Sequence, residues 1–493
     1  MSRKTYISFL GTNNYVECNY YDEEDPSNRI EGVKYVQEAL TQMYCKEIFG
    51  TEDCYYFFLT AKARQMNWED DGQWNSKTRA YDLPNKGLRG RLAQLNLPGE
   101  IKDINIPEGF SSEEIWEIFE RVFSCMQEGD EVFFDITHAF RSLPLLGLAL
   151  LNYAKALKNI QVKGIFYGAF EKLGPAPEVK EMPMEARNAP VLNLLSVSEL
   201  QDWTNAAFEF TRYGKVSTLR KLTGKQVAPI LAETKGGDEV ARRLQSVSKI
   251  TDEMAKAIST NRGADILQKI DFESLKLHLQ FFADQESFIK PLNAIMRVLA
   301  EKVAAFKNND PLHWLRSARW CVEHGMYQQA VTQLQEGVLT WLCVQLRRAN
   351  ELFDWRNEAP RNLLTSVFSI ISQKIEENQW GKEAGKYPWL TRVLVQHPFV
   401  QALAPDFSSL TNLRNDVNHG GYKQGNTKSA DRVISQCEKL LEKFESLDWA
   451  QPLEVKLQPL LNLSNHPTSS WTEAQMAEAK RLFGEVIDLP FPA

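Results

Sequence analysis

No long apolar run is present in this chain. The most hydrophobic stretch, Leu143 to Leu151, already contains Pro144, and it falls far short of the roughly 20 residues that cross a bilayer as a helix. The opening MSRKTYISFLGTNNY has no apolar centre of the kind a secretory signal needs. Cysteine is sparse and dispersed: seven residues, at 18, 45, 54, 125, 321, 343 and 437, with no CxxC pair and no Cys/His cluster at zinc spacing. That pattern argues against a disulfide framework and for reduced, mostly buried thiols. An excess of positive charge is also missing. With a net charge of −7 and a pI near 5.7, any grip on nucleic acid must come from a local patch. No G-x-G-x-x-G follows the first apolar strand and no P-loop occurs, which argues against a dinucleotide enzyme or an ATPase. Internal repeats and low-complexity segments are absent. The expectation is a soluble, cytoplasmic protein that has no membrane span and no resident metal or cofactor.

What is present is ample material for cores. The 493 residues are 43% hydrophobic and 25% charged, with 12 Trp and 26 Phe, which suits two to four globular domains. Residues 5–10 (TYISFL), 54–60 (CYYFFLT), 131–136 (EVFFDI) and 162–170 read as β-branched and aromatic strands. Helical spacing covers 31–49, about 111–126 after the Ser-Ser-Glu-Glu start, and about 142–158. Residues 62–100 are polar and punctuated by Gly and Pro; 171–190 is a Pro-rich excursion, after which 191–195 returns to the sheet. Strands alternating with helices predict a mainly parallel, open α/β sheet of Rossmann type. From about Ser198 strand signals vanish. The predicted organisation is an α/β domain over 1–195, an all-α connector over 196–310, an all-α domain over 311–450, and a tail over 451–493 with one amphipathic helix near Glu473 to Ile487.

Two stretches carry chemistry. Asp135-Ile136-Thr137-His138-Ala139-Phe140-Arg141-Ser142 lies where the third apolar strand gives way to a helix. Ligands of open α/β sheets bind beyond the carboxyl ends of the strands, and a helix start there offers free amides, with Ser142 as its cap. Thr137, His138 and Arg141 add donors, and the turn Gly11-Thr12-Asn13-Asn14 ends the first strand beside them. The two loops together would cradle phosphates or ribose hydroxyls. Asp135 fits ligand contact less easily than bracing, since a carboxylate repels phosphate; Asp135 and Thr137 equally suit a strand-to-helix turn.

The second stretch is Arg414-Asn415-Asp416-Val417-Asn418-His419, followed by Gly420-Gly421. At about 100° per residue, Leu410, Leu413 and Val417 form one narrow apolar stripe, while Arg414, Asn415, Asn418 and His419 share the opposite side. Asp416 points away from both groups, and the Gly pair suits a left-handed helix end. This face has no Ser or Cys nucleophile and no carboxylate pair, and one His does not hold a catalytic metal. Arg for non-bridging oxygens, His for proton transfer and Asn for orientation suit a phosphodiester. An ordinary polar helix face is the plainer reading of the helix taken alone.

The Arg-x4-His spacing on a late helix resembles the motif of HEPN ribonucleases. Phe9-Leu10-Gly11-Thr12 near the N-terminus, Asp135-x-Thr137-His138 followed by Phe140-Arg141-Ser142-Leu143-Pro144, and Tyr167-Gly168-Ala169-Phe170-Glu171 resemble the CARF domain of CRISPR-associated proteins, over about residues 1–195. Two departures stand out: Ala139 replaces the usual Gly, and Asn13 stands where a small residue is usual. Together the motifs resemble the ancillary ribonucleases of type III CRISPR systems. The resemblance implies metal-independent cleavage of single-stranded RNA by Arg414, Asn415 and His419, with a 2′,3′-cyclic phosphate product. It also implies activation by a cyclic oligoadenylate, the tetra-adenylate ring in preference to the hexamer. Contacts to that ring would come from Gly11, Thr12, Asn13, Asn14, Asp135, Thr137, His138 and Arg141. Assembly would be as a homodimer or a higher oligomer, with the ribonuclease site shared between subunits. A non-catalytic CARF sensor whose helical half binds a partner or nucleic acid is the alternative, and slow degradation of the activator in the CARF pocket is a third possibility.

Several other residues read as structural. His278, His313, His324 and His397 have no partner at ligand spacing. Val331, Leu334, Val338, Leu339, Leu342 and Leu346 form a core stripe. Glu336 lies among them, where it could face the Arg414 helix or equally sit at the stripe's edge, and has no assigned role; Arg347, Arg348 and Arg356 to Arg361 suit a solvated face better than an RNA patch.

Overall fold

The computed structural model describes residues 2–69, 74–75, 79–81, 87–138, 143–284, 292–347, 353–422, 427–449 and 472–473. It divides into two compact units, 1–202 and 203–493. The first is built on an eight-stranded sheet. Its strands are β1 (Lys4–Leu10), β2 (Cys18–Asp22), β3 (Arg29–Val33) and β4 (Cys54–Leu59); then, after a separate hairpin of β5 (Trp74–Asn75) and β6 (Ala80–Tyr81), β7 (Glu100–Asn105), β8 (Glu131–Asp135), β9 (Gln161–Gly168) and β10 (Asn188–Asn193). The order is β3-β2-β10-β9-β8-β1-β4-β7. From β9 to β7 every pairing is parallel, as the alternation of strands and helices requires. β10 runs antiparallel to β9, and β3 antiparallel to β2.

The central strands are buried on both faces, so they read as continuous apolar runs. Along β1, Tyr6 and Leu10 pack on one side with Phe57, Phe133 and the helix Val36–Tyr44, while Ile7 and Phe9 pack on the other with Phe58, Phe134 and the helices Ser112–Cys125 and Leu143–Lys158. Polar interruptions are satisfied: Thr5 donates to Asp130 at 3.1 Å and Ser8 to Asp135 at 2.7 Å. The helix Ser112–Cys125 starts where expected, its cap Ser111 accepting from the Glu114 amide at 3.2 Å.

Three strands of the main sheet escape the sequence reading, as do the short hairpin strands β5 and β6 within the polar 62–100 stretch. The helix expected over 31–49 is shorter, Val36–Tyr44, because Arg29–Val33 pairs as edge strand β3 with a left-handed Gly32 (φ 63°) inside it. β2 was passed over with it. β7 (EIKDIN) is the opposite edge, partly exposed along its length, so its polar composition hides it. An edge strand needs only one apolar face.

In the second unit every described regular element is helical. The helix Tyr327–Arg347 is central, packed by His313–Glu323, Glu358–Gln373, Pro398–Asn418 and Ala430–Ser446. Its expected stripe is buried, and so are Gln333, Gln335, Trp341 and Cys343 on other faces. Such all-round burial marks an interior helix. All seven cysteines are free, six of them buried and Cys125 half-buried. Among the described residues no helix is long and apolar enough to cross a membrane. The expected tail helix lies outside the described residues except for its first position.

Candidate functional sites

The strand order explains the first site. β1 has β4 on one side and β8 on the other, so the parallel strands run outward through β4 and β7 on one flank and through β8 and β9 on the other. The carboxyl ends of β1 and β8 are therefore a topological switch point, where a crevice opens. Ile7 opposes Phe134, which brings the Gly11 turn and the Thr137-His138 turn together.

The Gly11 turn is held from behind. Asn67 donates to the carbonyls of Gly11 and Asn13, both at 3.0 Å, and the Gly11 amide donates to the Tyr15 hydroxyl at 3.1 Å. A Cβ on Gly11 would sit 2.9 Å from that hydroxyl and 3.6 Å from the His138 Cβ, so a side chain there would have to push Tyr15 aside. Tyr15 meets the His138 ring edge-on with centroids 4.5 Å apart.

Asp135 faces inward rather than toward the crevice. It is 1% exposed and accepts from Ser8, from Tyr6 at 3.5 Å and from the Thr137 amide at 2.9 Å; burial pushes its pKa up. The Thr137 hydroxyl accepts from the Gly168 amide at 2.9 Å, tying the β8 loop to the end of β9. Both residues brace, and this geometry favours the bracing alternative for each. His138 differs. Its Nε2 is buried without a hydrogen-bond partner, and burial drops the imidazole pKa to about 4, so the ring is neutral at pH 7. An orphaned ring nitrogen in a crevice is a group waiting for a donor or an acceptor.

A cavity of about 460 Å³ opens here, lined by Asn13, Asn14, Tyr15, His138, Lys34 and Lys180 among others. Thr12 does not line it, and Arg141 lies outside the described residues. Sequence reading missed both lysines. Lys34 follows an edge strand and Lys180 sits in the Pro-rich excursion, places where a lone Lys carries no signal. Lys34 is 5% exposed; burial, then the charge of Arg91, lower its pKa to about 8.

The second site lies at the end of the helix Pro398–Asn418. Leu410 and Leu413 are buried and Val417 is half-buried, while Asn415, Asn418 and His419 are exposed. His419 caps the helix, and Gly420 and Gly421 follow at φ 60° and 73°, the left-handed ending the glycines permit. Asp416 turns aside, accepting from the Lys428 amide at 3.2 Å. The face has no carboxylate of its own, but packing supplies one. Glu336 places Oε1 3.4 Å from Arg414 and Oε2 2.5 Å from Arg361. The Arg414 Nε is buried without a partner.

Arg361 is thus no part of a solvated face: it is one-fifth exposed and also donates to Thr340 at 3.0 Å and to the Trp355 carbonyl at 3.2 Å. Only the three-dimensional arrangement could assign Glu336 a partner. The four histidines read as structural have structural contacts. His313 bonds the Asp310 carbonyl, His324 the Trp320 carbonyl, and His397 caps its helix; His278 lies 3.3 Å from Ser274. Among the described residues no three His, Cys, Asp or Glu side chains gather as a metal site.

Comparison with known proteins bears on the first site. Residues 5–171 match the family described as CRISPR system endoribonuclease Csx1, CARF domain. The chain is also 23% identical, over 446 residues, to the CRISPR-associated protein MJ1674 of Methanocaldococcus jannaschii, a match covering 88% of this chain. It spans about 60% of the length of that relative. The likeness to the Csx1 CARF domain thus covers most of the N-terminal unit, β1 to β9 and the switch point between β1 and β8, while every described regular element of the second unit is helical.

Proposed function

We propose that this protein is a ligand-gated endoribonuclease of type III CRISPR defence, with a HEPN-type site in its helical unit. The observation that carries the reading is the cluster of half-buried Arg414 with exposed Asn415 and His419 at a helix end whose Leu410 and Leu413 are buried. Arg414 stabilises charge on the non-bridging oxygens of the scissile phosphate, and Asn415 positions the phosphate or a proton. His419 moves protons while the neighbouring ribose 2′-hydroxyl attacks phosphorus. The bond to the 5′-oxygen breaks, that oxygen takes a proton, and a 2′,3′-cyclic phosphate remains. The nucleophile belongs to the RNA, so no metal is needed.

The activator is a cyclic oligoadenylate, in the tetra-adenylate form, bound at the crevice of the first unit. Lys34 and Lys180 meet its phosphates, and His138 meets a hydroxyl or base edge. A symmetric ring suits two identical crevices, and hence a homodimer. Trp116, Tyr153 and Leu157, exposed by 62%, 47% and 60%, support that assembly. Trp116 packs on Phe119 and Phe119 on Tyr153, forming a continuous aromatic surface of a kind monomers seldom leave open.

The test is a fluorescent single-stranded RNA incubated with cyclic tri-, tetra- and hexa-adenylate in turn. Cleavage should rise with the tetra-adenylate and persist in excess EDTA. No cleavage with any ring would leave the sensor reading, in which the helical unit binds a partner without cutting. Activity that vanishes in EDTA and returns with magnesium would overturn the proposed chemistry.

A further inference from the structure

The helical unit holds a second cavity, about 570 Å³ in volume, that the chemistry above does not use. Its lining mixes polar and apolar groups and comes from four parts of the chain: Asn261 and Lys269, His313, Gln333 and Glu336, and Trp355 and Arg361. We propose that it receives a nucleobase of single-stranded RNA next to the bound phosphate, and so sets sequence preference at the cut. The inference rests on the ribonuclease reading for where the phosphate lies.

Position is the first argument. Glu336 lines the cavity and reaches Arg414 with one carboxylate oxygen while reaching Arg361 with the other. A phosphate held by Arg414 is therefore a single side chain away from the cavity. The helices run so that Gln328 meets Asn418 at 3.4 Å and Gln335 meets Thr411 at 3.1 Å; the catalytic face and the cavity thus share the helix Tyr327–Arg347 as a wall.

The lining is the second argument. Recognition of unpaired bases combines an aromatic or guanidinium plane for stacking with amides for the base edge. Trp355 is half-buried and carries the Arg356 guanidinium 5.3 Å from its ring centroid, a ready stacking platform. Gln333 is 4% exposed and its Nε2 lies 3.3 Å from the Asn261 Oδ1. An amide ordered in this way presents a defined donor and acceptor. His313, at the back, is committed to the Asp310 carbonyl at 3.1 Å and is structural. The carboxylates are engaged too, Asp265 by Lys269 at 2.7 Å and Glu336 by two arginines, so the cavity does not repel an anionic strand as a bare acidic pocket would.

The experiment measures binding without cleavage. Full-length protein is titrated with labelled 2′-O-methyl homopolymers of A, C, G and U, which lack the attacking hydroxyl. One homopolymer should bind more tightly than the rest. Trp355→Leu should weaken binding about tenfold, within the range one stacked base contributes, whereas Trp355→Phe should restore most of it. Gln333→Leu should flatten the difference between bases. Equal binding of all four homopolymers by wild type, or Trp355→Leu binding like wild type, overturns the inference. Should Gln333→Leu fail to fold, the Leu/Phe pair at 355 still decides. A wild type that reads bases but cuts no RNA would defeat the ribonuclease reading alone; a wild type that cuts RNA yet binds every homopolymer equally would defeat the base site alone.

Discussion

Glu336 shows how a single side chain alters the chemistry of its neighbours. Arg414 sits near a helix end, and with one carboxylate oxygen 3.4 Å away its guanidinium is held in place. An ion pair this exposed contributes about 0–1 kcal/mol to stability, so its value lies in orientation. Arg414→Ala or His419→Ala should cut RNA cleavage by at least about a hundredfold, the scale of one acid–base or oxyanion contact, with little change in thermal unfolding. Retained cleavage in either purified variant would move the active site elsewhere. Glu336→Gln should lower kcat/KM several-fold in steady-state cleavage assays, because Arg414 is then no longer held where it meets the phosphate.

His138 yields a pH prediction at the same scale. Its folded pKa, about 4, lies below the ordinary value near 6.5. Between these values the unfolded chain binds more protons, so stability falls as pH drops through that window, by about 3 kcal/mol in full. Asp135, with its raised pKa, acts in the opposite sense, so the comparison is with a variant. His138→Phe should keep more of its neutral-pH stability at pH 4.5 than wild type does, as read from urea midpoints. Identical profiles would mean that the ring is not held neutral by the fold.

At the scale of an element, the Gly11 turn is the sensitive part of the ligand site. Its amide, its carbonyl and the space where a side chain would stand are all taken, by Tyr15 and Asn67. Gly11→Val should displace Tyr15, and with it the ring that meets His138. The activator concentration for half-maximal cleavage should rise by an order of magnitude or more, while the slow cleavage without activator stays unchanged. Equal loss of both would make the turn a folding element only. The helix Pro398–Asn418 is built differently: Leu410 and Leu413 anchor it, while Asn415 and His419 stay exposed.

At the scale of the whole molecule, one Arg and one His per chain are a thin catalytic set, which two facing copies would double. An excess of His419→Ala subunits mixed with wild type under exchange conditions should depress activity more than dilution alone. Trp116→Glu, on the exposed aromatic surface, should shift sedimentation toward monomer and lower activity with it. A monomer fully active at every concentration would contradict the shared site. On the proposed reading, activation from the crevice would act through differential affinity for two arrangements of a dimer, and a hundredfold preference would supply about 2.7 kcal/mol.

The local sequence already determined much of this. The apolar runs of β1, β4, β8 and β9 were legible because central strands are buried on both faces, and Ser111, Gly420 and Gly421 marked helix ends through local backbone chemistry. The loops after β1 and β8 could be placed at strand ends for the same reason. Tertiary structure alone decided what depends on neighbours distant in the chain. The polar edge β7 becomes a strand only because β4 offers it hydrogen bonds. Asp135 turns inward because the β1–β8 register puts Ser8 beside it. Lys34 and Lys180 reach one cavity from segments about 150 residues apart, and Glu336 meets Arg414 across 78 positions (414 minus 336). Neither spacing has a period that a sequence can display, because helix and strand periodicity record which face is buried and not which other segment covers it.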